Sequence, residues 1–383
     1  MMENSTKKTI HIGILGFGSM GKTHAYAVEN LRFFYQDLPF SAKIAGVCTT
    51  SMEKSQKVCQ EYGFSIATTD EDILINDPDI DVIDICTPNI YHFETIKKAI
   101  AASKHIYCEK PLCISLDEAA EIAELARNSG KIHNIVFNNR YLPAIMRAKE
   151  LIDEGRLGRI LSFRADYQHS SAMTVGKKAS WKQDRAVCGG GVLFDLGSHV
   201  IDLIYYLCGR FTSVCAATQI AFPVRSGRDG SQWNTNADEA VYMLAKLECG
   251  AVGTIGASKI AAGSNSDIFL EIFGEKGAIK FSLMEPSWLY FFDNTVPEAP
   301  LGGMRGYTKI ESVGRYPAPG GSFPAPKAAI GWTQGHVHCM YSFLSSVYTG
   351  EQLAPDFDDA THIQAVMEAA YHSADSMTWK TVQ

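Results

Sequence analysis

The sequence predicts two joined architectures: an α/β domain over residues 1–138 built on a parallel sheet, then an α+β domain over residues 139–383 built on a large, mostly antiparallel one. Three observations carry this. Short apolar runs alternate with helical segments of about 10–15 residues as far as Phe137, the pattern of buried parallel strands joined by crossover helices. After Arg140 the strands lengthen and alternate in polarity, with glycine turns between them. At 383 residues the chain has room for two or three domains of about 150 residues each.

Thr9 to Leu15 reads as the first strand, and Gly16-Phe17-Gly18-Ser19-Met20-Gly21 follows at once, opening a helix around Lys22 to Leu31. Ile44 to Cys48 is a second strand, and a helix-like stretch leads to a further one over Asp81 to Cys86. The alternation continues through helix Tyr91 to Ala102, strand His105 to Cys108, helix Leu116 to Asn128 and strand Ile132 to Phe137. Ser115 with Glu118 makes a capping box, and Gly130 closes that helix. Helix Ala144 to Glu154 begins the second half. Strands follow at Ile160 to Tyr167, Ala240 to Leu247, Val252 to Lys259, Ile268 to Phe273 and Ala278 to Leu283, with hairpin turns at Glu248-Cys249-Gly250 and Gly274-Glu275-Lys276-Gly277. Tyr242, Leu244 and Leu247 are expected to be packing residues of the sheet. Six prolines and eight glycines between Val296 and Gly335 mark a long functional or mobile loop. Helices resume at Val337 to Tyr348 and Ala360 to Ser376.

Composition narrows the class. With 46% apolar and 20% charged residues, the chain falls in the soluble globular range. Its 35 basic and 42 acidic residues give a net charge of −7, and Lys and Arg never cluster beyond a short pair, so neither nucleic acid nor an anionic membrane is an expected partner. The ten cysteines contain no C-x-x-C pair and several lie in apolar runs, which fits buried thiols in a reducing compartment and no metal site. Lys7 and Lys8 before an apolar run resemble a secretory signal only superficially, since glycines and no small-residue cleavage site follow. Val200 to Leu207 is cut by Asp202 and is too short to span a bilayer. A cytoplasmic protein is expected.

The residues that carry chemistry lie at strand ends. In Gly16-x-Gly18-x-x-Gly21, the first glycine permits the turn, the second lets backbone approach a pyrophosphate and the third lets helix pack on strand, which predicts dinucleotide binding. A ribose-binding Asp or Glu is expected after the second strand. Here Thr49, Thr50 and Ser51 stand in its place with Lys54 nearby, a set better suited to a 2′-phosphate, so NADP is slightly favoured over NAD. Thr87-Pro88-Asn89 and Glu109-Lys110-Pro111 end two further strands, where ligands bind in open α/β sheets. Lys110 can aim an ammonium at a substrate oxygen. On an ideal helix Asp195, His199 and Asp202 share a stripe away from the apolar one, which suits His199 to take a proton from an alcohol with a carboxylate to orient it. Trp181 is a candidate to stack on a sugar face, and His336 a candidate substrate contact; His336 and His338 lack zinc-site spacing.

Taken together, the dinucleotide fingerprint, Thr87-Pro88-Asn89 with His92, Glu109-Lys110-Pro111, Asn139-Arg140-Tyr141 and Gly189-Gly190-Gly191-x3-Asp195-x3-His199-x2-Asp202 resemble, in order and spacing over essentially the whole chain, the Gfo/Idh/MocA family of oxidoreductases. The resemblance implies an N-terminal Rossmann domain, a C-terminal α+β domain whose open sheet serves oligomerisation as a dimer or tetramer, and NAD(P)-dependent hydride transfer to or from a secondary alcohol of a sugar or inositol-type polyol. It implies catalytic roles for Lys110, His199 and Asp195, with Lys110, Trp181, Asp195, His199 and His336 toward substrate. Cofactor contacts are implied along Gly16, Phe17, Gly18, Ser19, Met20 and Gly21, at Thr49, Thr50, Ser51 and Lys54, at Thr87, Pro88, Asn89 and His92, and at Glu109, Lys110, Asn139 and Arg140. Two rival functions are an enzyme that cleaves glycosides by transient oxidation and a regulatory protein that binds dinucleotide without turnover; the intact Lys110, Asp195 and His199 weigh against the second.

Overall fold

Residues Lys8–Leu15 form β1, whose last four residues are all buried because neighbouring strands flank both edges and helices cover both faces. The structure, a computed structural model, describes residues 7–383 except Val175, Lys177, Arg228, Arg315 and Ser322. Around β1 lie β2 (Phe40–Cys48), β3 (Ile66–Thr68), β4 (Val82–Ile85), β5 (His105–Cys108) and β6 (His133–Ile135), in the order β3-β2-β1-β4-β5-β6 and all parallel. The strand order reverses between β1 and β4, and the crevice outside their carboxyl ends is where an open α/β sheet binds ligand.

The second sheet has nine strands. From one edge to the other they run Tyr307–Glu311, Trp288–Asp293, Gly277–Ser282, Asp267–Gly274, Ile160–Gln168, Val252–Ser258, Ala240–Leu247, Phe211–Gln219 and Lys380–Thr381. All pairs are antiparallel except Ile160–Gln168 with Val252–Ser258, which makes the sheet mixed. The turns at 248–250 and 274–277 join antiparallel neighbours as expected. Helices Ser198–Cys208 and Phe357–Ser376 bury their apolar faces with one face of this sheet in a single core. On the other face Tyr242, Leu244 and Val252 are exposed, whereas Leu247 is buried. The three expected packing residues therefore divide between the two faces, because positions of odd separation cannot share one.

The segment from Val296 to Gly335 is less free than its composition implied. It contains the edge strand Tyr307–Glu311, and Phe323 packs on Phe33 and Phe34 of α1 (Ser19–Phe34). Helix Trp332–Thr349 then returns to the first domain: Met340, Phe343 and Leu344 join the core of Ile10, Ile12 and Val28, and Tyr341 stacks on Tyr35 with ring centroids 3.8 Å apart. This return hangs His336 over the crevice. A helical run from Arg185 to Cys208 is long and apolar enough to cross a bilayer, longer than Val200 to Leu207 alone, but most of it is buried inside the protein.

Candidate active site

The turn after β1 is shaped by glycines. Gly16 has φ +88°, and a Cβ there would lie 2.6 Å from the Cys86 carbonyl oxygen; a Cβ on Gly21 would lie 2.3 Å from that of Gly16. A Cβ on Gly18 would meet no protein atom within 4 Å, because it would enter the cleft. Gly18 also caps α1 without a side chain, and the first turn carries no acidic residue. The leading N–H groups of α1 are thus left for an anion from outside.

A cleft of about 900 Å³ runs from this turn to the second sheet. Gly16, Phe17, Gly18, Ser19 and Met20 line one wall, while Gly21 lies behind it as packing. At the β2 end Thr49, Thr50 and Lys54 reach the cleft. The three hydroxyls do not act as a set: Thr49 Oγ1 is bonded to Ser55 Oγ (2.8 Å) and Ser51 O (3.1 Å), and Ser51 caps helix α2 (Met52–Tyr62) by accepting from Lys54 N. Ser51 does not reach the cleft, and a carboxylate absent from the sequence reading, Glu71, does.

Thr87, Pro88, Asn89, Glu109, Lys110 and Pro111 line the floor. His92 does not. It is fully buried, with ring nitrogens bonded to Thr87 O (2.9 Å) and Pro111 O (3.0 Å), so it clamps the β4 and β5 loops together from behind. Arg140 also leaves the cleft: its guanidinium binds Asp202 in a bidentate pair (Nη2 to Oδ1 2.6 Å, Nε to Oδ2 3.1 Å) and Asp359 at 3.1 Å, and these carboxylates hold it charged against the cost of burial. Asp202 therefore parts from Asp195 and His199, contrary to the single stripe of an ideal helix. A π-helical turn over Leu193–Gly197 breaks the 100° register between Asp195 and the helix that follows, while His199 and Asp202 lie in the regular α-helix Ser198–Cys208 and diverge there by about 60°, which lets Asp202 meet Arg140 behind the cleft. Asn139 stands behind the wall but touches it, donating Nδ2 to His199 Nδ1 at 3.2 Å.

At the far end Lys110, Trp181, Asp195, His199 and His336 converge. Lys110 Nζ donates to Asp195 O (2.7 Å) and Oδ1 (3.3 Å). Two lysines with no signal in the sequence join them: Lys182 Nζ is 3.0 Å from both Asp195 oxygens, and Lys259 Nζ is 2.8 Å from Oδ2. Lys182 follows Trp181 and Lys259 follows the strand Val252–Ser258, so only the tertiary packing within the second half of the chain, which brings both onto Asp195, could have pointed to them. Burial pushes the Asp195 carboxyl up, but the three ammonium groups outweigh it and hold it well below its usual range. Burial lowers Lys110, opposed by Asp195 and Glu109 and assisted by Lys182. Burial, with Lys110 beside it, takes His199 down to about 3, and burial does the same to His336. Both imidazoles are neutral at pH 7.

Beneath the floor His24, fully buried, is bonded through Nδ1 to Asp84 (2.9 Å) and through Nε2 to Glu109 (3.1 Å). Burial opposes its charge, yet Asp84 raises it well above its ordinary value. Burial pushes Glu109 up, but His24 brings it down to about 2. His24, Asp84 and Cys86 also put three donor atoms within 4.8 Å of one another, but His24 and Asp84 already satisfy each other there. Among the described residues, two sets of polar atoms at the cleft are buried without a protein partner: Thr87 Oγ1 and both ring nitrogens of His336. Such atoms are costly unless a ligand pairs them. With the open space above Gly18, they fit a dinucleotide and a hydroxylated substrate.

Comparison with known proteins agrees with this geometry. Residues 10–137 match the model of the oxidoreductase family with an NAD-binding Rossmann fold, and residues 145–280 match the GFO/IDH/MocA C-terminal domain. A solved structure of levoglucosan dehydrogenase with NADH and levoglucosan superposes with a TM-score of 0.93 at 30% identity, over 98% of this chain and all of that one. The chain belongs to the GFO/IDH/MocA family. Levoglucosan dehydrogenase of Pseudarthrobacter phenanthrenivorans is 29% identical over 98% of both chains. Inositol 2-dehydrogenase of Rhizobium meliloti is 24% identical over 95% of this chain and 97% of its own. The protein is an NAD(P)-dependent oxidoreductase, with the glycine turn at one end of the cleft and Lys110, Asp195 and His199 at the other.

Proposed function

We propose that the protein is a dehydrogenase that oxidises a secondary alcohol of a sugar or inositol-type polyol, with NAD as its preferred dinucleotide. The observation that carries this is the meeting of Lys110 and His199 around Asp195 in the same cleft as the anion-ready turn of Gly16 to Met20. When bound, the nicotinamide supplies the hydride acceptor. Everything else falls to the protein. Lys110 Nζ spends two N–H bonds on Asp195, so one position remains to exchange a proton with the substrate hydroxyl. His199 accepts at Nδ1 from Asn139, so its proton lies on Nε2 and the ring donates to the reacting oxygen. In this reading Lys110 is the base and His199 the donor, an exchange of the roles expected from an unperturbed imidazole. His336 and Trp181 hold substrate, and Gly16, Gly18 and the N-terminus of α1 hold the pyrophosphate.

NAD is preferred because Thr49 and Ser51 are occupied within the protein and so do not form a hydroxyl set for a 2′-phosphate, and because the similar solved structures of levoglucosan dehydrogenase carry NADH. The ten free thiols support a reducing, cytoplasmic setting, and exposed Tyr242, Leu244 and Val252 on the outer sheet face support a homo-oligomer. A screen of sugars and inositols with both dinucleotides at about 340 nm tests the reading. Accumulation of NADH with at least about tenfold tighter binding of NAD than NADP is expected. Glycoside cleavage without net NADH would put transient oxidation in its place.

A further inference from the structure

Asp195 is one carboxylate facing three ammonium groups. Lys182 Nζ lies 3.0 Å from each of its oxygens, Lys259 Nζ 2.8 Å from Oδ2 and Lys110 Nζ 3.3 Å from Oδ1. The remaining carboxylates of the cleft wall offset them only in part, since the charge of Glu109 acts on Lys110 and Lys182 but is shared with His24. Glu109 accepts from His24 through Oε1 and from the Lys110 backbone through Oε2, and Glu71 is spent on Lys98 and Thr95 at the opposite end. Among the described residues lining the cleft, the Asp195 end therefore holds more positive charge than its own carboxylates offset. Lys259 is 8% exposed, and a buried ammonium is retained only where a counter-charge serves it. Lys182 sits at the mouth with its side chain 44% exposed, 5.7 Å from the centre of the Trp181 ring.

The geometry points to a substrate that is itself an anion: a sugar or polyol bearing a carboxylate or a phosphate monoester, its oxyanion bound by Lys182 and Lys259 while a secondary hydroxyl meets Lys110 and His199. This rests on the dehydrogenase reading of the cleft and narrows its substrate class. An oxyanion offers several acceptor oxygens, so each lysine gains a partner without competing for Asp195, and the exposed face of Trp181 remains for the sugar ring. Charge of one sign in a walled cleft also raises the local concentration of an oppositely charged substrate.

Competition calorimetry on the full-length protein saturated with NADH, using glucose, glucuronate and glucose 6-phosphate, and inositol against its monophosphate, measures this without turnover. At least one charged member is expected to bind about tenfold or more tighter than its neutral parent. Raising salt from about 50 mM to about 500 mM should shrink that advantage severalfold. Lys182→Gln should lower affinity for the charged ligand more than for the neutral parent, and Lys182→Arg should restore the difference. A preference for glucuronate alone identifies a carboxylate, and for the phosphate esters alone a phosphate. Equal or tighter binding of the neutral parents, or no measurable binding of any charged member at about 10 mM, overturns the proposal. Preference for a charged ligand with no NADH formed from NAD would count against the dehydrogenase reading and leave the anion site standing.

Discussion

Asn139 donates its side-chain amide to His199 Nδ1 across 3.2 Å, and this contact decides which nitrogen of the ring carries a proton. Neutral because of its burial, His199 offers Nε2–H to the cleft and has no lone pair there with which to accept. Asn138 Nδ2 at 3.5 Å from Asn139 Oδ1 favours the same orientation of the amide.

The pH dependence of alcohol oxidation follows from this. Lys110 accepts a proton only when neutral, and burial lowers its pKa, so kcat should rise with pH along one limb that lies below the ordinary lysine value of about 10.4. Ketone reduction, which needs protonated Lys110, should fall along the same limb. His199→Gln, which keeps a donor, should retain the limb and lose less activity than His199→Ala. A limb near the imidazole value of about 6.5 that vanishes in His199→Gln would return the base to His199.

Lys110→Ala should lower kcat at least about a hundredfold, the lower end of the range for a positioned acid–base group, while the dissociation constant for NADH stays within a few-fold. The glycine turn and Lys110 stand at different places along the cleft, so the two quantities are separable by stopped-flow turnover and fluorescence titration.

Two glycines of one turn should fail differently. Gly18→Ala meets no protein atom and should leave the melting temperature nearly unchanged while weakening NADH binding at least about tenfold, about 1.4 kcal/mol. Gly21→Ala puts a Cβ 2.3 Å from the Gly16 carbonyl oxygen and should lower stability itself, by about 1–3 kcal/mol. Thermal melts beside cofactor titrations read both.

Asp202→Ala should behave as a structural change, although Asp202 belongs to the same motif as Asp195. It leaves Arg140, 5% exposed, without its bidentate partner, and breaking such a pair costs about 3–5 kcal/mol. Denaturant titration should register that loss, with kcat of the remaining folded protein within a few-fold of wild type.

Much of the first domain was legible because its signals are local. The run Thr9 to Leu15, the glycines at 16, 18 and 21 and the alternation through Phe137 depend on burial period and backbone sterics, which each segment carries within itself. Glu109-Lys110-Pro111 and His199 were legible as chemistry for the same reason, since both stand where a strand end or a helix face could be inferred. The stripe through Asp195, His199 and Asp202 was not, because the π-helical turn that displaces Asp195 has no period to read in advance and the Arg140 that takes Asp202 out of the cleft comes from a distant segment. Nor was the use of Thr49 and Ser51, whose hydroxyls fit a ligand and a local cap equally well until Ser55 and Lys54 were seen to engage them.

By itself, the sequence determined the parallel architecture, the glycine turn and the presence of a lysine and a histidine suited to proton exchange. Tertiary structure alone decided their company: Lys182 and Lys259 on Asp195, His24 under Glu109, Asn139 on His199 and Glu71 at the dinucleotide end. The physical reason is range. Backbone preference and hydrophobic period act over a few residues, whereas the charge and tautomer of a buried group are set by whatever the fold brings within about 4 Å, from any distance along the chain.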